Sequence, residues 1–72
     1  MFNPLLTSFV CVADSGSFNR AAEKLYISST AVIKQVNALE KHLALQLCVR
    51  TNHGVRLTAA GQVIYRCAKQ MF

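Results

Sequence analysis

The chain has 72 residues, the size of one small domain, and its 53% hydrophobic content with one proline and three glycines argues against disorder. Lys and Arg number 8 against 3 Asp and Glu, a formal charge of +5. Asp14, Glu23 and Glu40 come first, and Lys41, Arg50, Arg56, Arg66 and Lys69 follow with no acid among them, a balance that suits a polyanionic partner.

Asn3-Pro4 opens a first helix, because Asn caps and Pro is at home in the first turn. Leu5, Leu6, Phe9, Val10 and Ala13 recur at helical spacing, and Gly16 follows Ser15 where a stop belongs, so the helix is predicted over 4–15. Ser17 caps a short second helix in which Phe18, Ala21, Ala22 and Leu25 share one face. The small pair Ala21-Ala22 lets another helix approach closely, as a tight helix-turn-helix requires. Tyr26-Ile27-Ser28 connects, with Ile27 expected to plug the turn from inside and Ser28 to cap a third helix over 29–43.

The third helix has two faces. Val32, Val36, Leu39 and Leu43 form its expected buried stripe, and Ser29, Thr30, Ile33, Lys34, Asn37 and Lys41 gather opposite. Hydroxyls and amides at a helix start hold phosphates. Ile33 is the anomaly of the polar face: it either packs on a thymine methyl or covers a neighbouring element. A polar, cationic second helix across a tight turn is the layout of a DNA-reading helix-turn-helix.

Leu45 to Arg50 and Val55 to Leu57 are short apolar runs around Thr51-Asn52-His53-Gly54, and they predict a β-hairpin, or wing, with Arg50 and Arg56 at its base. Thr58 caps a last helix from Ala59 with a wide apolar stripe. Val63, Ile64, Cys67, Met71 and Phe72 are too apolar for an exposed face in a soluble monomer, which predicts a two-fold dimer through this helix, packed also on the first helix. No Gly, Pro or polar stop precedes the end at Phe72, which predicts either a fragment cut within a longer helix or a helix end buried on a partner.

Cys11, Cys48 and Cys67 match no CxxC or Cys/His zinc spacing, and all three are expected to be small buried hydrophobes in a reducing, cytoplasmic setting. No apolar run approaches the ~20 residues that span a bilayer, and the apolar start lacks the basic segment of a signal peptide. Two histidines and three scattered acids make no catalytic set, no phosphate loop is present, and neither enzyme activity, metal nor cofactor is expected.

The ordered anchors carry a family resemblance. Phe9-Val10, Val12-Ala13, Gly16-Ser17-Phe18, Arg20-Ala21-Ala22 and Leu25 come first, and Ile27-Ser28, Ala31-Val32, Gln35-Val36 and Leu39-Glu40 follow. With Leu47, Arg50-Thr51, Val55-Arg56-Leu57-Thr58 and Ala60-Gly61, the run resembles the N-terminal DNA-binding domain of LysR-type transcriptional regulators over nearly the whole chain. The resemblance implies a mainly α fold with a small hairpin. Residues 1–58 would be a winged helix-turn-helix and 59–72 the start of a linker and dimerisation helix. It implies a homodimer on double-stranded DNA, and a small-molecule effector bound only by a domain absent from this chain. By position Ser29, Thr30, Ile33 and Lys34 would face bases. Arg20, Ser28, Arg50, Arg56 and Thr58 would lie near the backbone, with Thr51, Asn52 and His53 at the wing tip.

This chain departs from the family pattern at several points. Ser29-Thr30 replaces a frequent Gln-Pro, and Ile33 replaces a small polar Ser. Ala44 to Cys48 replaces Gly-Val-Pro-Leu-Phe, which predicts a different turn into the wing, and Asn52-His53 replaces an Arg-rich tip. The leading function is sequence-specific DNA binding. The alternative from another class is a short interaction module that heterodimerises with full-length regulators. A molybdate-type winged helix is a variant of the first reading, and a membrane-surface role for the last helix has too few cations.

Overall fold

Residues 4–71 are described by the computed structural model; Asn3, Phe72 and the Met71 side chain lie outside the described residues. The predicted order holds: α1 Pro4–Ser15, α2 Phe18–Leu25, α3 Ser29–Leu43, β1 Cys48–Thr51, β2 Gly54–Leu57 and α4 Ala59–Met71. α1 packs on both α2 and α3, and α4 packs on α1 and β2. The core gathers Phe9, Val12, Ala21, Val32, Val36 and Leu47, all at most 1% exposed. Each of the larger ones contributes roughly 1.5–3 kcal/mol by burial. Ser8 is buried among them and donates its hydroxyl proton to Gln35 Oε1, which joins α1 to α3.

The capping expectations for α2 and α3 are met. The Ser17 side chain accepts from the Arg20 N–H at 3.3 Å, and Ser28 accepts from the Ala31 N–H at 3.1 Å. Gly16 ends α1 at φ 71, its N–H bonded to the Val12 carbonyl at 2.7 Å. Two further left-handed steps fall on non-glycine residues, Tyr26 (φ 58) and Ala44 (φ 55). Each is followed by the six-to-one bond of a Schellman cap, Ile27 N–H to Ala22 O and Leu45 N–H to Glu40 O, both 3.1 Å.

These caps explain three corrections. Ile27 does not plug the turn. Its backbone closes the cap while Leu25 reaches the core, and its side chain is 36% exposed on a shallow groove beside Pro4 and Gln35. Leu43 is 40% exposed, because the buried stripe of α3 ends at Leu39 and Leu47 fills the next core position. The first strand starts at Cys48 and not at Leu45, since the approach to it is held by side chains and loops. Glu40 Oε2 accepts from the Leu47 and Cys48 N–H groups at 2.7 and 3.3 Å, and the Leu47 carbonyl accepts from the Thr58 N–H at 3.0 Å.

The hairpin pairs Cys48 with Leu57, Val49 with Arg56, Arg50 with Val55 and Thr51 with Gly54. The loop is thus tighter than the four residues expected, with Asn52 and His53 alone at its tip. The left-handed step falls on Gly54 (φ 118), where a Cβ would also lie 2.6 Å from the Gly16 carbonyl oxygen. That oxygen accepts from the Val55 N–H at 3.1 Å, so the wing is tied to the α1–α2 turn. α4 is tied to α1 at its far end, where Asp14 accepts from the Tyr65 hydroxyl and pairs with Lys69 at 3.4 Å. The Tyr65 hydroxyl first, and then Lys69, hold the Asp14 carboxyl below its usual range.

Candidate nucleic-acid interface

An α-helix that buries Val32, Val36 and Leu39 must show the opposite residues to solvent. Thr30, Lys34, Asn37 and Lys41 form that exposed row on α3. Ile33 is half-buried at its edge and packs against the core, where the hairpin base closes over it. It lines a depression between α3 and the wing with Phe18, Asn37, Glu40, Val49 and Arg50 among others. Of the two expectations for Ile33, cover of a neighbouring element is met: β1 reaches a residue outside the helix's main buried stripe.

The start of α3 lies against α2. Ser29 Oγ donates to Asn19 Oδ1 at 2.5 Å, so its proton is not free for a base edge. Ser28 only accepts, from the Ala31 N–H, and its own proton remains available. Arg20 is exposed on the adjacent turn of α2.

In the wing, Arg50 lies over the Phe18 ring, 5.1 Å from its centroid. The register puts Arg50 and Arg56 on opposite faces of the ribbon, and both are exposed. At the tip the Thr51 hydroxyl donates to the Gly54 carbonyl at 3.0 Å and accepts from the His53 N–H at 3.2 Å, leaving the Asn52 and His53 side chains exposed. Thr58 is spent on the fold. Its hydroxyl donates to the Gln46 carbonyl at 2.5 Å and accepts from the Gly61 N–H at 3.0 Å. The one proton a phosphate would need is already used.

Of the acids, Asp14 serves α4 and Glu23 is exposed on α2, while Glu40 lines the depression between α3 and the wing and accepts there from the Leu47 and Cys48 N–H groups. Against that one carboxylate, Lys34 and Lys41 of α3, Arg20, and Arg50 and Arg56 of the wing leave this side of the domain with an excess of positive charge.

α4 shows two apolar faces where the sequence shows one wide stripe. Ala60, Ile64, Tyr65 and Ala68 dock on the domain's own core. Val63, 51% exposed, and Cys67 face outward with Ala59. Ile64 thus belongs partly to the monomer, and Cys67 is not buried. Cys48 is buried, with its thiol pushed up by burial and then by Glu40, as suits a small core residue.

Asn37 stands on the polar row of α3 as expected. Asn19 and the Phe18 support of Arg50 were not singled out by sequence reasoning as parts of this surface, and no local signal marks them, since their partners come from distant elements.

Among the described residues no helix is long and apolar enough to cross a membrane. The description "bacterial regulatory helix-turn-helix protein, lysR family" matches residues 4–62. The HTH-type transcriptional regulator TfdT of Cupriavidus pinatubonensis is 42% identical over 66 residues, covering 92% of this chain and 29% of TfdT. The nitrogen assimilation regulatory protein nac of Escherichia coli is 44% identical over 64 residues, covering 89% of this chain and 21% of nac. The chain therefore spans less than a third of either regulator. Among solved structures, the CbnR_DBD–DNA complex superposes with a TM-score of 0.91 at 34% identity, covering 99% of this chain and 82% of that one. The BenM_DBD/catB site 1 DNA complex gives 0.92 at 34% identity, covering 99% and 80%.

Proposed function

The chain belongs to the lysR family of bacterial regulatory helix-turn-helix proteins, and from that premise we propose that it binds double-stranded DNA sequence-specifically as the DNA-binding domain of a transcriptional regulator. The observation that carries this reading is the exposed row Thr30, Lys34, Asn37 and Lys41 of α3, flanked by Arg20 and the wing arginines, on a backbone superposable on the CbnR and BenM domains solved with DNA. α3 lies in the major groove, with Thr30, Ile33 and Asn37 toward base edges and Lys34 at the groove wall, where it also reaches a phosphate. Ser28 and Arg20 meet the flanking backbone. The wing enters a neighbouring minor groove, and because Arg50 and Arg56 leave opposite faces of the ribbon, each meets a different strand. Residues 4–58 form the reading unit and α4 begins the connection to a partner subunit. Effector binding belongs to a separate domain; the full-length LysG of Corynebacterium glutamicum, of which this chain covers 24%, is solved with bound effector Arg.

The test is duplex affinity as a function of salt. Arg20, Lys34, Arg50 and Arg56 of two subunits make on the order of six to eight phosphate contacts, so log K falls against log salt with a slope of roughly −5 to −7. A slope near zero removes nucleic acid as the partner.

The open row Ala59, Val63 and Cys67 supports a two-fold dimer through α4. Sedimentation at tens of micromolar is expected to give about twice the 7.9 kDa chain mass. A lone monomer with α4 ordered overturns the pairing, and a dimer indifferent to DNA supports an interaction module instead.

Ile33 has two neighbours to satisfy. Half-buried against the wing base, it loses apolar contact on Ile33→Ser, at about 1 kcal/mol of folding stability. Its exposed part meets a thymine methyl, so the same change relaxes preference at one or two base pairs by roughly 1 kcal/mol. Selection from a random duplex pool reads the second effect and denaturation the first. A lost stability with unchanged preference leaves Ile33 as wing support alone.

A further inference from the structure

Asn19 stands on the exposed first turn of α2, and its Oδ1 is held by the Ser29 hydroxyl at 2.5 Å. A carboxamide fixed by its oxygen keeps one orientation, which leaves Nδ2 with two protons and no protein partner among the described residues. Beside it, between α2 and the hairpin, lies a cleft of about 160 Å³ lined by Ser17, Phe18, Asn19, Arg50, Thr51 and Gly54. At ~30 Å³ per water in the liquid, that is room for a tetrahedral anion with part of its hydration.

The donors of this cleft are unusually well held for surface groups. Arg50 comes from the hairpin side with its guanidinium carbon over the Phe18 ring, 5.1 Å from the centroid, and its N–H groups make no hydrogen bond among the described residues. The Thr51 hydroxyl proton is already given to Gly54, so it does not compete. No carboxylate lines the cleft. A phosphate offers acceptors only and carries one negative charge, which the free Asn19 and Arg50 N–H groups and the single positive charge of Arg50 match.

Given duplex binding as proposed above, we infer that this cleft seats one phosphodiester group of the DNA backbone. Arg50 and Asn19 are its side-chain ligands. Ser29 is a positioning residue that orients Asn19, and it does not read a base.

The test uses the whole chain in two arms. In ¹H–¹⁵N spectra, the Asn19 Nδ2 protons and the Arg50 Nε proton are expected to shift with a short duplex, and with inorganic phosphate at far higher concentration. In binding assays, Asn19→Ala weakens every duplex about tenfold with the preferred sequence and the salt slope unchanged. Ser29→Ala weakens binding about threefold and has no further effect in the Asn19→Ala background. A Ser29→Ala chain that prefers a different base sequence overturns the inference, as does an Asn19→Ala chain that binds like the parent. Resonances that stay still with both ligands overturn the cleft whatever the duplex affinity. If they move with phosphate while no duplex binds, the anion seat stands and the duplex reading falls.

Discussion

Gly61→Ala is expected to cost at least about 3–4 kcal/mol, about a third or more of the roughly 4–11 kcal/mol that a domain of this size holds. On propensity alone the sign would be opposite, since alanine in a helix is favoured over glycine by about 1 kcal/mol. Packing reverses it. A Cβ at Gly61 would lie 1.8 Å from the Leu47 carbonyl oxygen and 2.8 Å from its carbon. That carbonyl cannot step aside. Thr58 donates to it at 3.0 Å, Glu40 holds the Leu47 N–H at 2.7 Å, and the Leu47 side chain is fully buried. Relief must come from lifting α4, which breaks the Thr58 cap and uncovers Ala68 and Ile64. Urea denaturation reads the loss. Gln62→Ala, one exposed position further on, is the control and should stay within about 0.5 kcal/mol. A Gly61→Ala chain as stable as the parent would mean that α4 does not sit on the Leu47 carbonyl.

The same contact shows where the sequence was legible and where it was not. Caps with local chemistry were readable: Ser17, Ser28 and Gly16 each act within four residues of themselves. Apolar periodicity located α1 to α4 because it reports which face of a helix avoids water. It does not report what covers that face, and the misplacements follow from this. Ile27 and Leu43 carry the right spacing but stand where the helix ends and the core does not extend. On α4 one wide stripe divides into a docked face with Ile64 and an open one with Val63 and Cys67. The left-handed steps at Tyr26 and Ala44 lack the glycine or asparagine that signals them, so only the closed turn shows them. Ser29 with Asn19, and Arg50 with Phe18, are made by distant parts of the chain, so no local pattern announces either pair.

Arg50→Ala is the binding change of largest expected effect. A charged hydrogen bond to a phosphate contributes about 1.5 kcal/mol or more, and a dimer loses two, so affinity falls by a factor on the order of 10². Every duplex should weaken alike, because a backbone contact carries no sequence information. The salt slope should flatten by about one per site, or about two per dimer. Folding stability should change by no more than about 1 kcal/mol, the worth of an exposed cation–π contact with Phe18. Arg50→Lys separates charge from placement. It keeps the slope, but an ammonium does not lie flat on the ring or offer a planar fork, so part of the affinity is still lost. Arg56→Ala should act independently, since Arg56 leaves the other face of the ribbon and meets another strand. A double variant whose losses add in free energy supports a wing set edgewise into a groove. If Arg50→Ala instead changes the preferred sequence, the wing reads bases, and α3 loses its standing as the only element that does.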